Sequence, residues 1–287
     1  MKNASSLEQR LRSDLTGDVF FDAFNRGRYA TDASFYQIMP AGVVVPRTVD
    51  EALRTLAIVR DAGRIVTPRG GGTSQNGQPI GDGLILDMSR HFNGVTDYDP
   101  QARTVRVRPG TVLTTLNDQL RKDGLFFPVE PSTASRCTIG GMAGNNSSGA
   151  RSLHFGKMVD NVLAIDGMLP DGERFSLGEA PLATLPPRAR GIMERLTALA
   201  REHRTDIETI FPKVQRRVGG YNLDELLPES PNYSHLLVGS EGTLALTTGV
   251  TLKLSALPKH RVMGVCHFPS FRDAMETTRH IVALDPV

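Results

Sequence analysis

The fold is decided by the stretch Arg64-Ile65-Val66-Thr67-Pro68-Arg69-Gly70-Gly71-Gly72-Thr73-Ser74. A short apolar strand runs into a proline and then into the glycine loop, defined here as residues 70–74. Because glycine enters positive-φ conformations at little steric cost, we expect this loop to turn several N–H groups toward one point, as in a phosphate-binding nest. Thr73 and Ser74 can add hydroxyl donors, and Arg69 can add charge. The spacing is neither a Rossmann turn nor a P-loop, so a plain hairpin turn stays open.

The pattern on either side of this loop predicts a β-α-β unit. Residues 43–45 form a short buried strand, and Thr48 is placed to cap a helix over residues 49–62. Residues 84–88 give another apolar strand. The glycine loop therefore connects two strands, and no amphipathic helix follows it.

Hydrophobic periodicity predicts the other elements. A leading helix through Leu7, Leu11 and Leu15 is expected to pack on the outside, and the aromatic residues between 20 and 36 to cover a core edge. Further helices are expected over residues 112–122, 191–204 and 271–283, and further strands over 104–107, 162–168 and 262–268. Because the last strand and helix cannot bury a core alone, we expect the chain to end inside a second domain.

A second informative segment, residues 128–149, consists almost wholly of small, hydroxyl and amide residues. We call it the small-residue segment. Such residues bury little core, but they let the backbone contact a flat ligand and supply many short-range donors. A disordered linker is the alternative, disfavoured because Ile139 and Met142 interrupt the polar run. Cys137 in this segment needs no redox role, since it serves as a small apolar residue.

A third informative segment covers residues 236–254. We expect a buried strand at residues 236–238, a turn through Gly239-Ser240-Glu241-Gly242-Thr243 and then a second β pattern. The turn, called here the glutamate turn, again places glycines between strands and has one carboxylate at its centre.

Composition narrows the class of protein without defining it. The formal net charge of +2 contains no Lys/Arg block, so nothing favours a nucleic-acid partner. Cys137 and Cys266 are far apart and form no Cys-x-x-Cys pair, which excludes a disulfide framework, a zinc ribbon and an encoded iron–sulfur cluster. No apolar run approaches the ~18–20 residues of a membrane span, and residues 1–12 lack a signal-peptide core.

Taken together, the three segments resemble the FAD-binding domain of the vanillyl-alcohol oxidase/p-cresol methylhydroxylase (PCMH) superfamily. The most similar members are FAD-linked oxidases acting on D-2-hydroxy acids: D-lactate dehydrogenases, glycolate oxidase FAD subunits and D-2-hydroxyglutarate dehydrogenases. Among these, the chain resembles the beginning of large bacterial proteins that fuse such a flavoprotein to an iron–sulfur region. The resemblance implies an α+β fold with a PCMH-type FAD-binding domain of two α/β subdomains at residues 34–259. It implies a helical extension at 1–33 and the start of a truncated α+β cap (substrate) domain at 260–287.

The resemblance also implies which residues contact FAD. The first loop would wrap the pyrophosphate, the small-residue segment would line the flavin and its diphosphate, and the glutamate turn would close the adenine and ribose end. The implied residues are Pro68, Arg69, Gly70, Gly71, Gly72, Thr73, Ser74, Pro131, Ser132, Thr133, Thr138, Gly140, Gly141, Asn146, Ser148, Gly149, Glu241 and Gly242.

Two positions depart from the family pattern. Thr73 stands where covalent members carry a histidine that bonds the flavin, which predicts non-covalent FAD. Ala245 stands where the family often has glycine, and we have no interpretation of that change. The element Arg216, Arg217, Tyr221 and Asn222 resembles a Gly-Tyr-x-Leu element of relatives, with a helix end as the alternative.

The resemblance implies oxidation of a D-2-hydroxy acid, with electrons passing to a quinone, a cytochrome or a fused iron–sulfur module. It implies a cytoplasmic protein, with peripheral attachment at the inner membrane left open. No catalytic base is nominated, because the family's catalytic and metal-binding groups lie largely in the second domain. His154 is expected to be a structural or surface histidine, with an approach to the flavin ring as the alternative. Two alternatives remain: a flavin-binding module without activity, and an NADPH-dependent reductase of the cell-wall precursor pathway.

Overall fold

The computed structural model describes residues 2–260 and 262–284, with side chains from residue 6 onward. The fold is α+β, as expected. The helices are α1 (Lys2–Asp14), α2 (Ala23–Arg28), α3 (Val49–Asp61), α4 (Leu113–Leu120), α5 (Ile139–Gly144), α6 (Ser152–Phe155), α7 (Met158–Asn161), α8 (Pro187–Glu202), α9 (Arg204–Ile210) and α10 (Phe271–Val282). The strands are β1 (Asp18–Phe20), β2 (Gly42–Val45), β3 (Val66–Arg69), β4 (Leu84–Asp87), β5 (Val95–Asp99), β6 (Thr104–Val107), β7 (Leu125–Phe126), β8 (Val162–Met168), β9 (Arg174–Leu177), β10 (Leu246–Lys253) and β11 (Ser255–Ala256).

The first subdomain is built on a four-stranded sheet in the order β1-β2-β4-β3. Strands β2 and β3 each run parallel to β4, and β1 pairs antiparallel with β2. Side chains alternate across the sheet: Val44, Leu84 and Leu86 pack with α1 and α3, whereas Val43 and Ile85 face the other side. Burial on both faces explains why these strands are continuously apolar in sequence.

The leading helix and first strand belong to this subdomain. Leu7, Leu11 and Leu15 are buried in the same cluster as Val44 and Ala52, so α1 contributes to the core instead of lying outside it. Strand β1 forms the edge of the sheet. Residues 7–20 therefore share one core with the β-α-β unit that follows them.

The second subdomain carries a five-stranded antiparallel sheet in the order β5-β6-β10-β8-β9. A larger core lies beneath it, with α4, α5 and α8 contributing buried side chains. Met168 and Leu246 are register partners at one end of this sheet, and both pack into the core of the first subdomain. The two subdomains are thus joined by side chains as well as by the connecting chain.

Several sequence predictions are wrong in detail. The segment at 236–238 is buried but lies in a 3₁₀ helix and turn, not a strand, and residues 262–268 form no strand. Val262 and Met263 are almost fully exposed, and no described strand pairs with them. Hydrophobicity alone cannot distinguish a strand from a buried turn, or supply the partner that a strand needs.

The small-residue segment is not a linker. Its middle forms α5, for which Thr138 is the N-cap, accepting a hydrogen bond from the N–H of Gly141. Glycine disfavours helices, which hid this helix in the sequence. Strands β5 and β9 also went unpredicted: β5 has no clear apolar alternation, and β9 alternates but is only four residues long.

Candidate cofactor-binding site

A cleft of about 410 Å³ lies where the two subdomains meet. The glycine loop with Gln75 to Pro79, the small-residue segment and the glutamate turn form its walls. Strand β3 ends at Arg69, so the cleft lies beyond the carboxyl end of a parallel strand. This edge is where ligands bind in open α/β sheets.

The glycine loop differs from the nest that its sequence predicts. Of its three glycines only Gly72 has a positive φ, of 64°. At Gly70 and Gly71 a Cβ atom would instead collide with Thr138 Oγ1 and the carbonyl oxygen of Arg136. These two glycines are therefore required because the loop packs directly against the small-residue segment.

The loop nevertheless offers hydrogen-bond donors to the cleft. In the part of the chain that the structure describes, the backbone N–H groups of Gly70 through Ser74 donate no hydrogen bond to protein. Unpaired backbone donors are rare in buried positions, and these lie in the half-exposed wall of the cleft. A run of consecutive unpaired N–H groups suits the phosphate oxygens of a dinucleotide.

Arg69 has a different role from the one its charge suggested. Its guanidinium donates to the carbonyl oxygens of Tyr29 (3.3 Å), Thr31 (2.8 Å) and Pro79 (3.2 Å). It also lies over the Tyr29 ring, 5.4 Å from the centroid. Burial lowers the pKa of Arg69, an effect that nearby Asp87 opposes. Arg69 lines the cleft, and three of its five N–H groups connect it to the segments before and after the glycine loop.

The small-residue segment supplies the facing wall through Pro131, Ser132, Thr133 and the first turns of α5. Gly140 donates to the carbonyl of Pro109 (2.7 Å), and a Cβ on Gly140 would collide with that proline. Gly141 has more room, because a Cβ there would meet only Thr138 Oγ1, at 3.2 Å. The wall is therefore backbone and small side chains, which leaves space for a flat ring.

The glutamate turn contains three residues in left-handed conformations: Gly239 (φ 85°), Glu241 (φ 53°) and Gly242 (φ 74°). The N–H groups of Gly239 and Glu241 donate to the carbonyls at the end of α5, at 2.9 and 3.0 Å. A Cβ at Gly242 would collide with the Pro68 ring. The turn thus closes the cleft by contacting both of the other walls.

The Arg216 to Asn222 element supports these walls from behind. Arg216 donates to the carbonyl of Gly149 (2.6 Å), and Arg217 forms an ion pair with Asp224 (2.6 Å). Buried Asn222 donates to the carbonyl of Val238 (2.8 Å), next to the glutamate turn. Tyr221 shares a hydrogen bond with Thr243 (2.8 Å). Of this stretch, Val218 reaches the cleft itself.

Three predicted contact residues lie outside the cleft wall: Asn146, Ser148 and Gly149. Asn146 is buried at φ 46° and accepts a hydrogen bond from the N–H of Val159 (3.1 Å). Gly149 packs against the backbone of Glu130, where a Cβ would collide. Asn146 and Gly149 are buried and shape the wall from inside the protein, whereas Ser148 is half-buried. His154, as expected, does not line the cleft; its ring contacts Phe155.

Sequence reasoning missed several lining residues. Asn145 donates to the Ser74 hydroxyl (2.8 Å), tying two walls together. The residues missed are Gln75, Asn76, Gln78, Pro79, Met88, Pro109, Cys137, Met142, Gly144, Asn145, Ser147, Val218, Ser240, Ala245, Leu246 and Thr247. The Asn145-Asn146 pair was the available signal, since neighbouring residues of an irregular segment often face opposite ways.

The lining carries few groups that titrate. Burial raises the pKa of the Cys137 thiol, which keeps it protonated at neutral pH. Glu241 is exposed and forms no ion pair with any described residue. Residues 2–260 and 262–284 contain no cluster of three or more His, Cys, Asp or Glu that could bind a metal. In the same ranges no helix has the length and apolarity needed to cross a bilayer. The cleft is thus equipped for binding more than for acid–base chemistry.

Comparison with known proteins agrees with this geometry. A family model described as "FAD binding domain" matches residues 40–178. The D-2-hydroxyglutarate dehydrogenase of Pseudomonas putida strain KT2440 is 36% identical over 292 residues, covering 98% of this chain and 29% of that protein. The mitochondrial cytochrome D-lactate dehydrogenase of Arabidopsis thaliana is 28% identical, and the match covers 95% of this chain and 40% of that protein. The chain therefore spans less than half the length of these relatives.

Solved structures share the fold. An alkyldihydroxyacetonephosphate synthase superposes with a TM-score of 0.67 at 20% identity, covering 98% of this chain and 46% of that one. The BBE-like 1 protein of Physcomitrella patens gives a TM-score of 0.62 at 18% identity, covering 87% and 44%. At these identities the match establishes the fold alone.

Fold and cleft together define an FAD-binding flavoprotein domain of the PCMH type. The chain is similar to FAD-linked oxidases, and FAD is its cofactor.

Proposed function

We propose that the chain supplies the FAD-binding part of a dehydrogenase that oxidises a D-2-hydroxy acid such as D-lactate, glycolate or D-2-hydroxyglutarate. The observation that carries the proposal is the run of unpaired N–H groups at Gly70–Ser74 in a cleft walled by small residues. The names of the relatives supply the substrate class. When bound, FAD would accept a hydride from the substrate's α-carbon while a base takes the hydroxyl proton, leaving a 2-keto acid.

The residues proposed to hold FAD are those that both the resemblance and the cleft include. The glycine loop would donate its N–H groups to the diphosphate, and Pro131 to Thr133 with Gly140 and Gly141 would admit the ring. Glu241 and Gly242 would bound the adenine and ribose end. Arg69 would act by fixing the loop and not by direct charge contact.

The cofactor is proposed to be non-covalent. Thr73 lines the cleft at the position where covalent members have histidine, and no histidine is among the described lining residues. Cys137, the lining residue with a nucleophilic side chain, is buried with a raised pKa. The electron acceptor would be a quinone, a cytochrome or a fused iron–sulfur module, and the protein would be cytoplasmic or peripheral at the inner membrane.

The domain arrangement proposed is an N-terminal extension at 1–33, an FAD-binding domain at 34–259 and the start of a cap domain at 260–287. The support for the last boundary is that α10 buries no residue against the rest of the described structure. Substrate-binding and catalytic-base residues are proposed to lie in that cap domain.

The test is anaerobic reduction of the flavin in the full-length natural protein. D-lactate, D-2-hydroxyglutarate and glycolate are added in turn, and the visible flavin bands are followed, with the L-enantiomers as controls. Bleaching by a D-acid or glycolate, but not by the L-acids, is expected. A bound flavin that none of these acids reduces would refute the dehydrogenase and support the second candidate, an FAD-binding module without activity. That candidate is favoured by the lack of any assignable base among the described residues of the cleft.

A further inference from the structure

The glycine loop cannot hold its own conformation. Its N–H groups make no hydrogen bond to protein among the described residues, and two of its contacts to the wall are steric fits at Gly70 and Gly71. A loop that binds phosphate oxygens must be fixed beforehand, because ordering it on binding would reduce the affinity. The fixing groups therefore lie outside the loop.

One of them is Asn145, which donates to the Ser74 hydroxyl; several others belong to the N-terminal segment 29–34. The N–H of Ala33 donates to the carbonyl of Ser74 (3.0 Å). Arg69, just before the loop, donates to the carbonyls of Tyr29 and Thr31. The segment thus contacts both ends of the glycine loop.

We call residues 29–34 the clamp. Asp32 is the residue whose side chain adds a further contact to it. Its Oδ2 accepts a hydrogen bond from the N–H of Gly77 (3.0 Å), a residue held at φ 81°. Its Oδ1 accepts from the N–H (2.8 Å) and hydroxyl (2.5 Å) of Ser34. One carboxylate therefore fixes the turn of its own segment and the chain that follows the glycine loop.

Residues around Asp32 constrain its position further. The Ser34 hydroxyl accepts from the N–H of Tyr36 (3.1 Å), and the Tyr36 ring lies 3.2 Å from the position a Cβ on Gly77 would take. The carboxylate of Asp32 also interacts electrostatically with the Arg69 guanidinium. Asp87 is a second carboxylate near the same guanidinium. These groups therefore leave no net cation for a diphosphate, so backbone donors must supply the attraction.

We propose that Asp32 is a positioning residue of the cofactor site, which holds the glycine loop and residues 75–77 in the conformation that receives the FAD diphosphate. The proposal rests on the proposed FAD-binding role of the glycine loop. Asp32 does not line the cleft, so it acts through Gly77 and Ser74 and not by touching the ligand.

The test compares ligands that have the diphosphate with one that lacks it. Binding of FAD, ADP and riboflavin to the full chain is measured by flavin fluorescence and calorimetry for wild type and Asp32→Asn. The substitution keeps the size of the side chain but removes one charged acceptor, so we expect FAD and ADP to bind about tenfold more weakly with riboflavin unchanged. Asp61→Asn, an exposed carboxylate in surface ion pairs, is the matched control and should change none of the three.

A structural role alone would weaken all three ligands together or none, so unchanged FAD-to-riboflavin selectivity in Asp32→Asn overturns the proposal. Hydrogen exchange of the Gly77 amide, which donates to Asp32, gives a second readout in the ligand-free chain. Exchange is expected to become faster in Asp32→Asn, and an unchanged rate contradicts the clamp. Wild-type affinity for FAD separately tests the proposed function, since a chain that binds neither FAD nor ADP refutes both.

Discussion

At the scale of single residues, close packing of the glycine loop against the small-residue segment explains why two of its positions must be glycine. The sequence predicted glycine for its freedom of φ, but at Gly70 and Gly71 the structure requires it because there is no room for a Cβ. This distinction could not be made from the sequence, since the position of Arg136 and Thr138 against the loop is set by the whole fold. A crowded glycine should therefore tolerate alanine worse than an open one.

Gly71→Ala is expected to lower the free energy of unfolding by about 1–3 kcal/mol, because the new methyl group meets the backbone carbonyl of Arg136. The matched control is Gly191→Ala in α8, where nothing lies within 4 Å of the added atom. That change should raise the free energy of unfolding by about 0.5–1 kcal/mol through helix propensity. Urea unfolding measures both, and equal effects would contradict the packing argument.

Glu241 holds a left-handed conformation, which costs free energy in a residue other than glycine and is retained where a site requires it. Glu241→Gly should raise the free energy of unfolding by about 1 kcal/mol and weaken FAD binding, since the carboxylate is lost from the cleft. Arg103→Gly relieves a similar φ of 55° on the β5–β6 turn, away from the cleft lining. It should stabilise the chain and leave the dissociation constant for FAD unchanged. Weakened FAD binding in both variants would refute a local role for Glu241.

At the scale of elements, amphipathic helices and buried parallel strands were predictable from periodicity, while elements defined by their neighbours were not. Helix α3 with its Thr48 cap and helix α10 were both predicted from sequence, and the structure confirms them. Helix α5 was missed because its glycines suggest a loop, and its N-cap Thr138 looked like one hydroxyl among many. The packing of α1 was predicted wrongly, because three leucines at helical spacing predict an apolar helix face but not the element against which that face packs.

The role of α1 in the core can be measured. Leu11 is 0% exposed among the side chains of α3 and β2, so Leu11→Ala should lower the free energy of unfolding by about 2–5 kcal/mol. Leu199→Ala in α8 is the control, because that side chain is 45% exposed and its loss should cost under about 1 kcal/mol. Similar, small costs for both would mean that α1 does not share the core.

The pair formed by Glu225 and His235 is expected to make the free energy of unfolding depend on pH in the acid range. His235 Nδ1 lies 2.7 Å from Glu225 Oε2 and its Nε2 lies 3.2 Å from the carbonyl of Val162. The hydrogen bond from His235 lowers the pKa of Glu225 below its ordinary 4.5, with Lys157 and Arg217 adding to the effect. A lowered pKa means that Glu225 stabilises the fold above its unfolded pKa and stops doing so as pH falls through its folded one.

Glu225→Gln is therefore expected to reduce the loss of unfolding free energy between about pH 6 and about pH 3. Glu229→Gln, an exposed carboxylate in the same segment, should leave that dependence unchanged. Urea unfolding across this pH range measures the slope. If the free energy of unfolding of Glu225→Gln falls with pH as steeply as that of the wild type, protonation of Glu225 does not contribute to the acid destabilisation.

At the scale of the whole molecule, three short segments far apart in sequence meet at one cleft between two subdomains. The cofactor was predictable because the three segments, in this order, resemble the FAD-binding domain of a known family; their glycines and hydroxyls alone left a plain turn open. Their mutual contacts were not predictable: Asn145 with Ser74 and Gly242 with Pro68 depend on how the subdomains pack. The same holds for the clamp formed by residues 29–34, which no local pattern indicates.

The cofactor site is tested most directly by the absorption spectrum of the purified chain before and after acid precipitation. The cleft, with Thr73 at its wall, predicts the two visible bands of oxidised flavin, and these should move wholly into the supernatant once the protein is precipitated. Colour that stays with the pellet would contradict non-covalent binding. A colourless chain that also fails to take up added FAD would contradict the cofactor site itself.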